Sequence, residues 1–180
     1  MQQKPKIQAV NTVATSRLFR IEDVDLSFTN GKTAVFQRIV SPGPAVMVVP
    51  ILPQGLLMVS EYAVGSDKYE LGFVKGAIDA GETKEEAAHR ELAEEVGFGA
   101  RKLTYVRQMQ SMPHYSDFRM HLFFATDLYP EQRVGDEVEP LVQMTWPTDD
   151  IDELLVHPEI NDPRVLAALM LVQKWLQREK

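Results

Sequence analysis

Apolar and polar positions alternate in a readable order along this chain, and the first clear signal is Asn30-Gly31. Val24, Leu26 and Phe28 precede it with period two, and Val35, Gln37 and Ile39 follow in the same rhythm, which predicts an N-terminal β-hairpin. Ala45 to Leu52 and Leu56 to Val59 are nearly continuous apolar runs around Pro53-Gln54-Gly55, the pattern of central strands buried on both faces. The period then changes. Thr83 to Val96 predicts a helix, with Thr83 as N-cap, Glu86 completing a capping box three residues on, and Gly97 closing the C-terminus in the left-handed region. Leu103 to Gln110, Met120 to Ala125 and Val142 to Trp146 read as further strands, and Asp150 to Val156 as a short helix. A closing helix starts at Asp162 as N-cap with Pro163 at its first position, and its apolar stripe runs through Leu166, Leu169, Met170 and Trp175. Strands first, one helix among strands and helices at the end predict an α/β fold, a mixed sheet between helices.

Length and composition narrow this picture. A chain of 180 residues with 44% hydrophobic positions suffices for one domain with its own core. We therefore expect a single domain over 1–180, with 1–42 as an N-terminal hairpin region and 43–180 as the core. A formal charge of −7 and a pI near 5.1 argue against a partner held by charge, such as nucleic acid or an anionic membrane. A phosphate-bearing substrate would then need a metal or a few arginines. There is no cysteine, so a disulfide framework and a thiolate zinc site are both excluded, in keeping with a cytoplasmic location. No window reaches the length of a membrane span, and the N-terminus lacks the apolar stretch of a signal peptide.

The chemistry concentrates between Gly76 and Phe98, GAIDAGETKEEAAHRELAEEVGF. On a wheel of about 100° per residue with Leu92 at zero, Ala88 and Val96 fall within about 40° and form the buried stripe. Glu95, Glu91 and Glu94 fall at about −60°, −100° and −160°, and the small Ala87 at about −140° leaves space in that arc. Three glutamates on a helix are ordinarily a solvated face. Carboxylates so spaced repel one another, however, and a cation among them relieves the repulsion. Oxygen ligands without histidine or cysteine suit magnesium or manganese rather than zinc.

Gly76, five residues, Glu82, seven residues, Arg90-Glu91-Leu92, one residue, Glu94-Glu95, one residue, then Gly97-Phe98 resembles the Nudix box at every defining position. EYAVG and YELGFVKG ahead of it, with the LYPE and GDEVEPL segments behind, resemble the Nudix hydrolases that act on ADP-linked compounds. The resemblance implies an α/β/α sandwich, a homodimer, and hydrolysis of ADP-ribose, diadenosine polyphosphates and NADH with release of AMP. It implies Glu91 and Glu95 as the main metal ligands, with Glu94 as a further ligand or a contact to metal-bound water and the Lys75 main-chain carbonyl completing the set. Glu82 and Arg90 become a structural pair bracing the loop against the helix, and Gly76 and Gly97 are the box glycines. Related ADP-ribose hydrolases carry a general base in an acidic loop that resembles Gly135 to Glu139. That makes Glu137 the candidate base and Glu139 a candidate ligand, although an acidic surface loop before Pro140 is an equally ordinary reading.

One departure matters for substrate binding. Where the ADP-sugar subgroup has an arginine after its Glu-x pair, this chain reads Glu61-Tyr62-Ala63-Val64. Arg38 is then the candidate for bidentate phosphate contacts and Tyr62 for stacking on adenine. Ser111-Met112-Pro113 aligns loosely with a substrate loop of that subgroup. His89, His114, His121 and His157 have no metal-ligand spacing and read as ordinary surface or loop residues. Two rivals stay open: a nucleoside triphosphate pyrophosphohydrolase, which the box alone does not exclude, and a nucleotide sensor, against which every box acid being present speaks.

Overall fold

The computed structural model describes residues 3–179, and the chain forms two compact units. The first comprises the chain up to Pro44 together with Gln110–Arg119. Here the expected hairpin proves to be two strands of a three-stranded antiparallel sheet, β1 (Lys6–Thr15), β2 (Arg20–Ser27) and β3 (Thr33–Val40). The turn at Asn30-Gly31 joins β2 to β3 as the sequence predicts, with the Asn30 side chain accepting from the Lys32 N–H at 3.1 Å. β1 escaped the sequence reading for a physical reason. Its register against β2 shifts between Ile7 and Ala9 and again between Thr12 and Ala14, and each bulge breaks the alternation by which a strand is recognised. Glu22 of β2 is buried, and Arg20 and Arg38 both donate to it, at 2.7 and 2.9 Å. The segment after Gln110 joins this unit through β3, where the Ile39 N–H donates to the Tyr115 carbonyl at 2.7 Å.

The second unit, Ala45–Met109 with the chain from Met120 on, holds a seven-stranded mixed sheet. Its strands are β4 (Ala45–Leu52), β5 (Gly55–Ala63), β6 (Lys68–Gly72), β7 (Val74–Ala77), β8 (Phe98–Gln110), β9 (Arg119–Pro130) and β10 (Val142–Trp146). The order is β10-β5-β4-β9-β8, with β6 paired to β5 and β7 to β4. β4 and β9 run parallel, and β4 pairs antiparallel with β5 and with β7. β4 is buried on both faces, as its unbroken apolar run requires. Val46, Val48, Val74 and Phe123 face the helix α1 (Lys84–Glu91) and pack with Ala87, Ala88 and Leu92. On β9 the next residue, Phe124, packs its ring at a tilt against Trp175 of α3 (Pro163–Glu179), 5.5 Å between centroids. Alternate residues of one strand thus serve helices on its two faces, giving the α/β/α sandwich. Between these helices lies the short α2 (Ile151–Leu154), preceded by a 3-10 turn at Thr148–Asp150.

Several expectations shift in detail. β8 and β9 extend well past the apolar runs at Leu103–Gln110 and Met120–Ala125 that announced them. The buried stripe of α3 is Val165, Ala168, Leu169 and Val172, a strict i, i+3, i+4, i+7 set, and Met170 lies outside it, exposed. Ala87 belongs to the core rather than to the acidic arc. The helix expected through Val96 is α-helical only to Glu91. A π-helical turn over Leu92–Val96 follows, closed by the Gly97 N–H donating to the Leu92 carbonyl five residues back.

Candidate active site

The helix that carries the acids is fixed at both ends and along its buried side. At its start the Thr83 hydroxyl accepts from the Glu86 N–H at 3.2 Å while the Glu86 carboxylate accepts from the Thr83 N–H at 2.8 Å, a closed capping box. At its end Gly97 adopts φ 73°, a conformation that costs a residue with a Cβ but not glycine. Ala87, Ala88 and Leu92 seat the helix on β4 and β7, so Glu91, Glu94 and Glu95 emerge where β7 passes beneath.

Arg90 organises two of those acids and the loop before the helix. Its Nε donates to Glu82 at 2.9 Å and its Nη2 to Glu82 at 3.0 Å and to the Ala77 carbonyl at 2.8 Å. Its Nη1 donates to Glu91 at 2.7 Å and to Glu94 at 3.1 Å. All five guanidinium N–H donors are therefore taken by the protein. Glu82 also accepts from the Asp79 N–H at 3.0 Å, and the Arg90 guanidinium holds its carboxyl below the usual range.

The other acids are shaped by burial. Glu91 is 7% exposed, and its carboxylate lies where a Cβ on Gly76 would sit, so the close approach of β7 to the helix requires glycine there. Burial pushes the Glu91 carboxyl up against the opposing pull of Arg90. Burial acts more strongly on Glu95, which accepts from the Lys75 N–H at 3.1 Å and whose pKa is pushed up to about 8. A nearby cation would favour the ionised form of both carboxyls. On the same strand the Lys75 ammonium group donates to Glu61 of β5 at 3.1 Å.

These groups line a cavity of about 910 Å³ together with Tyr62, Tyr69 and the 134–139 loop. Eight carboxylates face it, Glu61, Asp79, Glu91, Glu94, Glu95, Asp136, Glu137 and Glu139, against the two cations Lys75 and Arg90. Glu139 accepts from the Tyr69 hydroxyl at 2.8 Å, and the Tyr69 ring meets that of Tyr62 edge to face at 5.7 Å. The loop acids and the helix acids thus come to one space. Other candidates belong to the N-terminal unit. There the buried Glu22 accepts from the Arg38 guanidinium. Ser111, Met112 and Pro113 also belong to that unit, in a turn where the Met112 carbonyl accepts from the Tyr115 and Ser116 N–H groups. His89 and His121 sit half-buried on α1 and β9 rather than in loops, and no histidine lines the cavity. Sequence reasoning gave no role to Glu61, to Tyr69 or to the Lys75 side chain, although all three fall in segments flanking the box.

A divalent cation fits this donor set. Among the described residues no three acids converge on one point, since Glu91 and Glu94 are drawn to Arg90 and Glu95 to the Lys75 N–H. Each engages one carboxylate oxygen in this way and keeps its other oxygen for a ligand. The oxygen-only lining selects a hard cation.

Comparison with known proteins gives a consistent answer. The NUDIX domain model matches residues 41–168, and a model of the NudE-type Nudix hydrolase N-terminal domain matches residues 5–38. The chain is 50% identical over 176 residues to ADP compounds hydrolase NudE of Escherichia coli (strain K12), covering 97% of this chain and 95% of that protein. It is 30% identical over 181 residues to ADP-ribose pyrophosphatase of Bacillus subtilis (strain 168), covering 94% and 96%. A crystal structure of an ADP compounds hydrolase matches with a TM-score of 0.93 at 49% identity, covering 99% of this chain and 97% of the other.

Proposed function

The chain belongs to the Nudix hydrolase family, and from that premise we propose that it hydrolyses the pyrophosphate bond of ADP-linked compounds, among them ADP-ribose, diadenosine polyphosphates and NADH, with AMP as one product. One observation carries the reading: buried Glu91 and half-buried Glu95 stand with Glu94 and the acidic loop around a single cavity whose wall holds far more negative than positive charge. A pyrophosphate cannot enter such a cavity without cations, and the oxygen donors suit magnesium, with manganese as an alternative. Glu91 and Glu95 would be the principal ligands, joined by Glu94, the Lys75 carbonyl and Glu139. When bound, magnesium supplies charge neutralisation at the phosphate oxygens and makes water more acidic. Glu137, in the loop facing the helix acids, takes the proton from the attacking water as general base. Glu82 and Arg90 hold the loop against the helix, and the exposed Tyr62 ring offers a face for adenine.

We further propose that two copies associate through the N-terminal region, residues 1–42, as an arm, while residues 43–180 carry the chemistry within the same Nudix domain. In support, β1 is exposed along its length and presents Ile7, Val10 and Val13. Sedimentation equilibrium should give twice the chain mass, and a monomer would refute the arm. No helix among the described residues is long and apolar enough to cross a membrane; a cytoplasmic location is our reading from the cysteine-free sequence.

The test of the activity is mass spectrometry of products formed with magnesium from ADP-ribose, diadenosine triphosphate, NADH and a nucleoside triphosphate in water enriched in oxygen-18. AMP from the first three is expected, with the label marking the attacked phosphorus. Pyrophosphate from the triphosphate alone would replace the substrate class, and no product at all would remove catalysis.

A further inference from the structure

We infer that the Lys75 side chain is a substrate-binding group of this cavity, donating hydrogen bonds to a nonbridging oxygen of the substrate's pyrophosphate. The inference rests on the pyrophosphate reading above and adds a residue to it. It starts from a count of donors. Two cations line the cavity, and Arg90 has none of its five N–H groups left, since Glu82, Glu91, Glu94 and the Ala77 carbonyl accept them all. Withdrawing any of them to hold a phosphate would leave a partly buried carboxylate or carbonyl without its donor, which is unfavourable. The Lys75 ammonium has three N–H donors and one protein acceptor, Glu61, at 3.1 Å. Glu61 is thus its one hydrogen-bond acceptor among the described residues, and Lys75, which lines the cavity, keeps donors that Arg90 lacks.

Position supports the same assignment. Lys75 lies opposite Met47 in the β4–β7 ladder, and its N–H is bound to Glu95, so its Cα is fixed against the acids proposed to hold the metal. The side chain is 23% exposed, its stem covered and its head pinned on one side by Glu61. Phosphate oxygens that the metal does not neutralise would otherwise face a wall of eight carboxylates whose other cation, Arg90, is fully engaged. A lysine with spare donors is the one group in the lining that relieves this.

The competing account is that Lys75 serves only to neutralise Glu61. Glu61 is 55% exposed, and a pair with so accessible a partner is screened and contributes little to the fold. The two accounts predict different behaviour in binding. The measurement is calorimetric titration of the nonhydrolysable α,β-methylene analogue of ADP-ribose, with magnesium, into wild type and into Lys75→Gln, Lys75→Met, Lys75→Arg and Glu61→Gln. Loss of a charge-assisted contact to phosphate should weaken analogue binding about ten- to hundredfold in the Gln and Met variants. Lys75→Arg should recover part of it, and Glu61→Gln should bind no more weakly than wild type. In turnover assays KM should rise more than kcat falls. Lys75→Met keeps the buried stem and carries the test if the Gln variant folds poorly. Analogue affinity within twofold of wild type in whichever of these folds, or an equal loss in Glu61→Gln, overturns the inference. Wild type that neither binds the analogue nor releases AMP would instead remove the pyrophosphate reading itself.

Discussion

Arg90→Lys keeps the positive charge and removes the geometry. Lysine offers three donors from one point, whereas Arg90 spreads five over Glu82, Glu91, Glu94 and the Ala77 carbonyl. The Arg90 and Glu82 side chains are 22% and 15% exposed, so solvent replaces the lost bonds only in part. Breaking a buried pair costs about 3 to 5 kcal/mol, and this partial exposure places the expected loss near the lower figure, about 3 kcal/mol. For a chain of this size about 2–4 °C accompanies each kcal/mol, so the melting temperature should fall by about 6–12 °C. Thermal unfolding followed by circular dichroism at neutral pH measures it, and a double-mutant cycle with Glu82→Gln isolates the pair. Coupling above about 1 kcal/mol is expected for groups in direct contact. The pH dependence has a definite sign. Arg90 lowers the folded-state pKa of Glu82, so the pair's contribution is fully present above about 4.5 and is lost as pH falls through the lowered value. The gap between wild type and variant should therefore close in acid. A melting temperature within 2 °C of wild type at neutral pH (about 0.5–1 kcal/mol), or strictly additive single changes, would refute the brace.

Glu95→Gln should abolish hydrolysis while the protein stays folded; turnover near wild type would remove Glu95 from the ligand set. In chelator the same change should flatten a pH trend. With a folded pKa near 8 against an ordinary 4.5, folded wild type binds the proton more tightly and loses stability as pH rises through that window, and melting curves between pH 5 and 8.5 should show the decline only while Glu95 is present. Glu137→Gln should lower kcat by about 10² to 10⁴ with little change in substrate affinity, and an unchanged rate in steady-state kinetics would move the base to Glu139 or elsewhere. Gly76→Ala drives a Cβ into the Glu91 carboxylate and should raise the magnesium concentration needed for half-maximal activity at least tenfold, as a magnesium titration would reveal; an unaltered titration would mean that Glu91 moves freely.

What could be read from the sequence is what depends on neighbours in the chain. The Asn30-Gly31 turn, the Thr83–Glu86 capping box and the apolar run of β4 each state their structure within a few residues, and each occurs where expected. β6 and β7 are five and four residues long, too short for periodicity to separate from a loop. The site divides in the same way. Box spacing marked Glu91, Glu94 and Glu95 as neighbours on one helical segment, and all three line the cavity. Arg38 and Ser111 to Pro113 were assigned without that support. Nothing in the sequence announces that Glu22, sixteen residues earlier and buried, already holds the Arg38 guanidinium. Nor does a sequence reveal which of two cations has donors left over, since that depends on the partners each has found.

The π-helical turn changes the directions that a regular helical wheel assigns to the acids. In an α-helix the Gly97 N–H would reach the Ala93 carbonyl; here it reaches one residue further, to Leu92, and the turn widens. Directions assigned to Glu94 and Glu95 at 100° per residue therefore no longer hold, while Glu91, the last α-helical residue, keeps its own. The widening also releases the Ala93 carbonyl from the helix. A buried carbonyl needs a donor, and the Arg133 N–H supplies it at 3.0 Å, just as the Glu131 N–H binds the Gly97 carbonyl at 3.0 Å. Both donors lie on the strand exit that leads into Asp136, Glu137 and Glu139. The irregular turn thus does two things with one displaced hydrogen bond: it re-aims two helix acids, and it anchors the root of the loop that carries the proposed base. Restoring regular α-helix at Ala93 would return its carbonyl to Gly97 and free that root, so the turn belongs to the site's geometry as much as the glutamates it carries.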